Sequence, residues 1–490
     1  MVDDVLIGYG DNQALDAFNR ARNANPISLF DNKNIHSDNR NQWEEPIIGA
    51  LIVYTNLAGG PFQVAEIITG GTSGTIGTVT AVDGGTLTIT YTVNHDDFQV
   101  GEQITGGTSG ATADISTVGT GSTITHSRDN AAVTLQVGTS SGDSATRASH
   151  RYFGYVPGKS HEIYQTFLFG EAAANVRRRV GYFDDDNGLF LEQTASGIRF
   201  IRRSKTSGSV QEEAIEQASW NRDTFDGSEG AKNPSGRQID FNKIQFLYID
   251  FQWQGTGRIR FGFFSNGKQV DAHHFELFNR FDTVYMSTPS LPIRYEITNT
   301  GATSSTHTMK EFCTAVNSNG GELQTGVGYS QSNDILGIAV STAETPVILI
   351  RLKSSVTDGG ANRKTIRLSN AGAFATGNSV HWILSHMHDP SGISTATTWV
   401  DVGGGSEAEY SVTTTAITGN PKSRIEEGYL AAGQGGKGGD EGVVEGDKLD
   451  QHKFLTQNVD SDNSEVFMLS AAALTGTSTV YGHITWVEFD

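Results

Sequence analysis

The feature that most constrains this chain is a short stretch that occurs twice. Residues 62–82, FQVAEIITGGTSGTIGTVTAV, and residues 98–118, FQVGEQITGGTSGATADISTV, match at 12 of 21 positions and begin 36 residues apart. Their Gly-Gly and Ser-Gly steps supply the positive φ angles that tight hairpin turns need. Each copy therefore predicts a small β-hairpin, and two copies can share a core that neither buries alone. The GGTSG turn lacks the lysine and the following helix of a phosphate-binding loop, so we interpret it as structural.

Glycine and short alternating runs characterise the rest of the chain, which has 58 glycines and 10 prolines among 490 residues. In Thr86–Val93 the alternation places Leu87, Ile89, Tyr91 and Val93 on one face and threonines on the other. Strands of this kind, joined by Gly and Ser/Thr turns, predict an all-β protein. We expect antiparallel jelly-roll or β-sandwich domains, a small duplicated β-hairpin module and an extended N-terminal arm.

Changes in pattern divide the chain into four regions. In chain order they are 1–50, the extended arm; 51–150, a β-rich region that contains the tandem repeat; 151–325, a central lectin-like jelly-roll sandwich; and 326–490, a C-terminal β-sandwich with a Gly-rich loop at 429–452. Within the central region, Asp186–Gly188 and Ser265–Gly267 are expected to form hairpin turns.

The first 50 residues are polar and rich in asparagine, with isolated bulky side chains. Such a segment cannot build a core of its own. We therefore expect it to lie extended across another surface, either this chain's own body or a neighbouring subunit. The residues predicted to bind a partner are Phe18, Pro26, Leu29, Phe30 and Trp43.

The formal net charge of −20 limits the partners that the surface can attract. It repels nucleic-acid phosphates and anionic membranes, so neither is expected to bind. One basic cluster stands out, formed by Arg177, Arg178, Arg179, Arg199, Arg202, Arg203 and Lys205. We favour solvated strand edges or salt-bridge partners for this cluster, and a local anion or partner site is the alternative.

A single cysteine, Cys313, excludes an intrachain disulfide. In MKEFCTAV it is expected to act as a small hydrophobe. No run approaches 18 apolar residues, so no membrane-spanning helix is expected, and the first residues lack the pattern of a secretion signal.

Two motifs resemble metal sites. In FDDDNGLF the acids at Asp184–Asp186 lack EF-hand spacing, so a hairpin turn is favoured over a loose calcium site. In HWILSHMHDP, His386 and His388 share one face of a predicted strand and could hold a metal together with Asp389. We favour a structural role on a sheet face or at a subunit contact for that motif, and we expect no cofactor.

The sequence contains no Gly-x-Ser-x-Gly elbow and no His-Glu-x-x-His motif, and among 55 acidic residues it cannot single out a catalytic carboxylate pair. Aromatic residues in the loops of the central region could stack on sugar rings if they are exposed, but we favour ordinary packing for them. They are Tyr152, Tyr155, Trp220 and Phe225.

Several stretches together resemble a family of virion structural proteins from tailed bacteriophages of the marine and cyanobacterial type. They are Arg20–Asn34, Tyr155–Phe167, Arg179–Phe190, Phe251–Phe263, Ser287–Asn299, Cys313–Glu322 and the late WVEF. The ITGGTSGATA unit is similar to a short module that recurs in phage structural proteins. The resemblance implies a component of the capsid, tail or baseplate surface, and it carries no catalytic residues.

The sequence thus predicts a non-enzymatic virion protein, made in the host cytoplasm and anchored to other virion proteins by its arm. A homo-oligomer is expected, with a trimer favoured. The alternative is a tail-fibre protein that binds a host surface glycan, and a depolymerase spike is the enzymatic rival.

Overall fold

The computed structural model describes residues 27–35, 37, 42–93, 98–118, 121–319, 326–356, 362–387, 393, 397–413, 422–431, 454–455 and 464–489. These residues fold into antiparallel β-sheets, with a single-turn 3-10 helix at Gln217–Ser219. None of their helices is long and apolar enough to cross a membrane. The predicted all-β fold of antiparallel sandwiches is confirmed.

The chain divides into two compact units, Met1–Ser149 with Tyr155–Glu322, and His150–Gly154 with Leu323–Asp490. The strands of the first unit are β1 Ile27–Lys33, β2 Trp43–Ala58, β3 Ile67–Gly70, β4 Ile76–Asp83, β5 Thr86–Val93, β6 Gln103–Gly106, β7 Thr112–Val118, β8 Thr123–Ser127, β9 Ala132–Val137, β10 Ser144–Ser149, β11 His161–Leu168, β12 Val176–Phe183, β13 Gly188–Thr194, β14 Gly197–Ser204, β15 Gln211–Glu216, β16 Gln245–Phe251, β17 Ile259–Ser265, β18 Lys268–Phe275, β19 Ile293–Asn299 and β20 His307–Ser318.

Two sheets pack face to face in the first unit. The eight-stranded sheet has the order β18-β17-β16-β11-β20-β9-β8, with β1 also paired to β20. The twelve-stranded sheet has the order β15-β14-β13-β12-β19-β10-β2-β5-β4-β3-β6-β7. Aromatic rings join their inner faces: Tyr182 lies 5.6 Å from Phe251, and Phe200 lies 4.5 Å from Phe261. The twelve-stranded sheet takes strands from all three regions that the sequence analysis places before residue 326.

The two predicted hairpin turns of the sandwich are confirmed. Asn266 and Gly267, with φ of 51° and 74°, join β17 to β18. Two positive φ angles in succession are typical of the type I′ turn that Asn-Gly favours. Between β12 and β13, Asp184 Oδ1 accepts hydrogen bonds from the backbone N–H groups of Asp186 (2.9 Å) and Asn187 (2.7 Å).

The tandem repeat forms a six-stranded barrel, because β2 pairs with β7 and thereby closes the series β2-β5-β4-β3-β6-β7. One copy supplies the β3–β4 hairpin and the other supplies β6–β7. Strand β3 pairs with β6 with Thr69 opposite Thr105, so the two copies are related by a local two-fold axis. Its core contains equivalent residues from both copies: Phe62 and Phe98, Ile68 and Ile104, Val79 and Ile115.

Strand β5 completes the barrel with the face that alternation predicts. Leu87, Ile89 and Tyr91 are buried, whereas the side chain of Val93 lies outside the described part. Tyr91 packs edge-on against Phe98 at 5.5 Å, and Tyr54 packs on Phe62 at 5.4 Å in the same way. The shared core expected for the two hairpins is therefore present.

Strand β2 links the barrel to the sandwich without interruption. Its first half pairs with β10, where Ile48 lies opposite Ser144, and its second half pairs with β7, where Ile52 lies opposite Val118. A bulge at Gly49, with φ of 85°, separates the two halves. The barrel therefore extends from the sheet on continuous backbone rather than on a linker.

The strands of the second unit are β21 Val327–Ser332, β22 Ile338–Val340, β23 Thr345–Leu352, β24 Thr365–Gly377, β25 Val380–Met387, β26 Val400–Asp401, β27 Ala408–Ser411, β28 Lys422–Leu430, β29 Phe454–Leu455, β30 Val466–Ala473 and β31 Ser478–Phe489. They form a five-stranded sheet, β21-β31-β24-β29 with β22 on β31, and a six-stranded sheet, β26-β27-β23-β30-β25-β28. One core cluster contains residues of both sheets, including Ile350, Leu368, Leu469 and Trp486. Most of the predicted Gly-rich loop lies outside the described residues.

Candidate functional site

A row of alternating charges crosses the outer face of the twelve-stranded sheet, on the side away from the eight-stranded sheet. Strand register places Glu296, Arg179, Glu192, Arg199 and Glu216 directly opposite one another on five successive strands. The Nε atoms of Arg179 and Arg199 donate to the two oxygens of Glu192 at 2.6 and 2.7 Å. Opposite charges at directly facing positions stabilise a sheet.

Beside this row, three arginine side chains cover a small apolar cluster. Phe183, Phe190 and Ile201 are fully buried although they lie on the outer face. The Cζ atoms of Arg179 and Arg203 lie 5.0 Å from the Phe190 ring centre, and that of Arg294 lies 5.3 Å from Phe183. Arginine stacks favourably on aromatic faces, so these residues protect the rings from water.

Glu296 lies among three guanidinium groups. Arg294 is 2.7 Å away, Arg177 is 3.4 Å away and Arg179 is 3.6 Å away. Burial alone would raise the pKa of Glu296, but the positive charges of Arg294, Arg179 and Arg177 outweigh it and lower this pKa to about 2. The carboxylate is therefore ionised throughout the physiological range.

A groove of 380 Å³ opens at this point. Its charged lining consists of Arg177, Arg179, Arg203, Arg294, Asp185 and Glu296. Burial, with the neighbouring charge of Arg179, lowers the pKa of Arg177. The buried Nε–H of Arg177 has no hydrogen-bond acceptor among the described residues. The salt-bridge interpretation of the basic cluster is supported, because most of its arginines are paired, whereas an anion site stays a prediction, to which the unused Nε–H of Arg177 beside a cavity is relevant.

The eight-stranded sheet carries a second polar network on its own outer face. Tyr248 donates to Asp271, whose other oxygen lies 2.6 Å from His274 Nε2, and Arg222 Nε donates to His274 Nδ1 at 3.0 Å. Burial raises the pKa of Tyr248 well above its usual value and lowers the pKa of His274. Asp271 has a pKa of about 2, because the hydrogen bond and charge of His274 outweigh the effect of burial. At neutral pH this is a fixed network around one ionised carboxylate.

The barrel contains a third buried arrangement, in which each copy of the repeat caps the turn of the other. The Glu66 carboxylate accepts hydrogen bonds from the backbone N–H of Ser109 at 3.0 Å and from its hydroxyl at 2.8 Å. Glu102 makes the same contacts with Ser73, at 2.9 and 3.0 Å. Burial would raise the pKa of Glu66, but the hydrogen bonds from Ser109 and Gln63 lower it.

These caps explain why the GGTSG turn is kept in both copies. A Cβ on Gly70 or Gly106 would collide with the serine hydroxyl and the capping carboxylate. The last glycines, Gly74 and Gly110, have φ of 70° and 66°, which favours glycine. The structural interpretation of the turn is thereby supported, and its capping carboxylate is identified.

Of the candidate metal residues His386, His388 and Asp389, only His386 lies in the described part of the chain. His386 is buried on β25, with its Nε2 atom 3.3 Å from Glu465 and its ring 5.0 Å from Phe467. His388 and Asp389 lie outside the described residues, among which there is no cluster of three metal-binding side chains. In the other motif, Asp185 pairs with Arg294 and Asp186 with Lys205, which fits the favoured hairpin turn.

The loop aromatic residues of the central region are buried, so the favoured interpretation, ordinary packing, is confirmed and sugar stacking is wrong. Tyr152, Tyr155, Trp220 and Phe225 are between 1% and 6% exposed. Trp220 stacks on Phe200 at 4.3 Å. The local sequence does not indicate the burial of these side chains. The sequence predicts that Cys313 packs as a small hydrophobic residue, but its side chain is exposed.

The arm residues that are described lie in this chain's own sandwich. Strand β1 pairs with β20, and the Phe30 ring packs edge-on against Trp43 at 5.6 Å. Phe30 and Trp43 are 2% and 1% exposed, so neither is available to a partner, and Leu29 is partly buried. Of the two surfaces that the sequence left open, the body of the same chain covers these rings. Phe18 and Pro26 lie outside the described residues.

Sequence reasoning missed Glu66, Glu102, Arg294 and Glu296 as site residues. The two capping glutamates had a signal, because Glu is among the residues shared by both copies of the repeat. Arg294 and Glu296 had none, since they reach the basic cluster only through the pairing of β19 with β12.

No family model and no curated protein matches the chain. Among solved structures it is similar to a glycosyl hydrolase family protein from Mycobacterium fortuitum, with 9% identity, a TM-score of 0.31 and coverage of 59% of this chain and 99% of that one. It is also similar to the carbohydrate recognition domain of Emp47p (12% identity, TM-score 0.25, 41% and 87% coverage) and to a legume lectin-like domain from Entamoeba histolytica (10%, 0.23, 40% and 87%). Such low TM-scores carry no argument about function.

Proposed function

We propose that this chain is a non-enzymatic structural component of a tailed-phage virion, exposed on the particle surface. The observation that carries the proposal is the reciprocal capping of the two repeat turns. Residues shared by both copies, such as the capping glutamate, the turn serine and the turn glycines, are used to lock one barrel. A module that repeats its architectural residues suits a rigid part that extends a surface.

The continuity of strand β2 supports the same role. One strand of 16 residues belongs to the sandwich at its start and to the barrel at its end. Because hydrogen-bonded strand resists bending far more than a loop does, the barrel is held in a fixed direction from the sandwich. A spacer in a particle needs that stiffness.

The segments that resemble phage virion proteins also form one framework. Residues 179–190 and 287–299 supply neighbouring strands of the twelve-stranded sheet, and 155–167 and 251–263 supply β11 and β17 of the eight-stranded sheet, with β16 between them. Hydrogen bonds join them: Tyr155 Oη accepts from Trp253 N, and Tyr182 Oη accepts from Leu291 N, both at 3.0 Å. The resemblance therefore falls on residues that support one another.

The test is to purify particles of the phage that encodes this chain and to search them for it by quantitative mass spectrometry and immunogold labelling. We expect a fixed copy number per particle and surface label, with the isolated protein a homo-oligomer. Absence from purified particles, or turnover of a polysaccharide by the isolated chain, would refute the proposal.

A deletion that tests anchoring by the arm must leave the strands of the sandwich in place. Removing residues 1–50 would delete β1 and half of β2, and would damage both sheets whatever its effect on anchoring. Removing residues 1–26 leaves every described strand in place. Under the proposal, this shorter deletion yields folded protein that no longer joins particles.

A further inference from the structure

We propose that the groove beside Glu296 binds an acidic saccharide, with Arg177 holding the carboxylate of the sugar. The groove lies wholly on the outer face of the twelve-stranded sheet. Its volume of 380 Å³ is within the range of small-molecule sites.

The arginines at the groove favour an anion. Four of them line it against two carboxylates, Asp185 and Glu296, although Arg179 and Arg203 are also paired with Glu192 and Glu212 outside the lining. Glu296 is shared by three guanidinium groups, and Asp185 is largely exposed at the rim. Arg177 is paired with one carboxylate, that of Glu296, and a ligand can supply a second one through the charge-assisted hydrogen bonds that arginine prefers.

The uncharged lining favours a sugar. Ser144, Thr146 and Thr298 present hydroxyl groups from β10 and β19, while Ile48 and Val210 add apolar surface. A pyranose ring offers the matching groups, hydroxyls on its edge and C–H bonds on its faces. A bare inorganic anion would leave the hydroxyls and the apolar surface unused.

The overall charge limits the ligand to one or a few acidic groups. With a net charge of −20, the protein repels a polyanion before it reaches the groove. A single uronic or sialic acid unit experiences mainly the local arginines, because more distant charges are screened within about 10 Å at ordinary salt.

The experiment uses the full-length protein with glucuronate, N-acetylneuraminate, glucose and acetate as probes, in saturation-transfer NMR and calorimetry, starting at about 0.1 M salt. We expect at least one acidic sugar to bind at least tenfold more tightly than glucose and acetate, and its binding to weaken as salt increases. If neither acidic sugar binds, or if acetate or glucose binds equally well, the proposal is wrong.

Variants assign the binding to the groove. Arg177→Gln should weaken binding of the acidic sugar at least tenfold, whereas Arg424→Gln, which removes the same charge from a more exposed position in the second unit, should leave it unchanged. Should Arg177→Gln fold poorly, Val210→Glu serves instead, because this exposed residue lines the groove and a new carboxylate there repels the ligand. Unchanged binding in a folded groove variant overturns the proposal. The groove can bind sugar whether or not the chain joins a particle, so the two proposals fail separately.

Discussion

The Glu66 carboxylate caps the backbone and the hydroxyl of Ser109, 43 residues further along the chain, in the other copy of the repeat. Glu102 makes the equivalent hydrogen bonds to Ser73, so the turn of each hairpin is capped by a residue of the other. The duplication is therefore one interlocked structure rather than two modules in a row.

Replacing Glu66 with Gln should destabilise the barrel by about 1–3 kcal/mol, because the turn loses a charged acceptor for the partly buried N–H and hydroxyl of Ser109. Glu102→Gln should have a similar effect at Ser73. The matched control is Asp83→Asn, an exposed acid in the same barrel. Hydrogen-exchange mass spectrometry of the β3 and β6 peptides measures the change, and equal protection in the three variants would contradict the cap.

Alanine should destabilise the turn at both glycine positions, but for different physical reasons. Gly70→Ala displaces the Glu102 carboxylate and should cost about 2 kcal/mol, whereas Gly74→Ala meets open space and only strains a positive φ, at about 1 kcal/mol. Asparagine tolerates positive φ, so Gly74→Asn should recover stability and Gly70→Asn should not. Denaturant unfolding of the four variants tests this order; a rescue at Gly70 would contradict it.

Glu192→Gln should cost about 3 kcal/mol, because it leaves Arg179 and Arg199 without the buried carboxylate that they share. Glu216→Gln belongs to the same row but is about half exposed and 3.7 Å from Arg199, so its cost should stay below about 0.5 kcal/mol. Denaturant midpoints of the two variants give the comparison. Similar losses would mean that the row acts as a surface feature rather than as a buried ladder.

Acid should destabilise the eight-stranded sheet through His273. Burial and the charge of His274 lower the pKa of His273 from 6.5 to about 4. Between these two pH values His273 is protonated in the unfolded chain but neutral in the folded chain, so acid favours unfolding. The free energy of unfolding should therefore fall between about pH 6.5 and 4, with about 2 kcal/mol attributable to this residue.

His273→Gln removes this titratable group and should make the free energy of unfolding depend less steeply on pH, even if it lowers stability at pH 7; His274, whose pKa burial also lowers, still contributes in the same direction. Hydrogen exchange of the β18 peptide at pH 4.5, 5.5 and 7, corrected for the intrinsic rates, measures it. A slope identical to that of the parent protein would assign the acid sensitivity to other groups.

Local features of this fold could be predicted from the sequence because they depend on neighbouring residues. Alternation alone identifies the buried face of Leu87, Ile89 and Tyr91, and the Asn266–Gly267 step identifies its turn, since side-chain direction and φ preference are properties of the chain within a few residues. The repeat likewise indicates a shared core before any pairing is known.

Only the tertiary structure decided which distant residues meet. Four features depend on which strand edges pair. They are the closure of β2 on β7, the capping of Ser109 by Glu66, the packing of Phe30 against Trp43 and the pairing of Arg177 with Glu296. Many registers satisfy the same alternating pattern, and the choice among them is made by packing and ion pairing summed over whole sheets. For that reason the sequence determined the β architecture and its turns, while the groove and its unpaired arginine donor emerged only from the folded sheet.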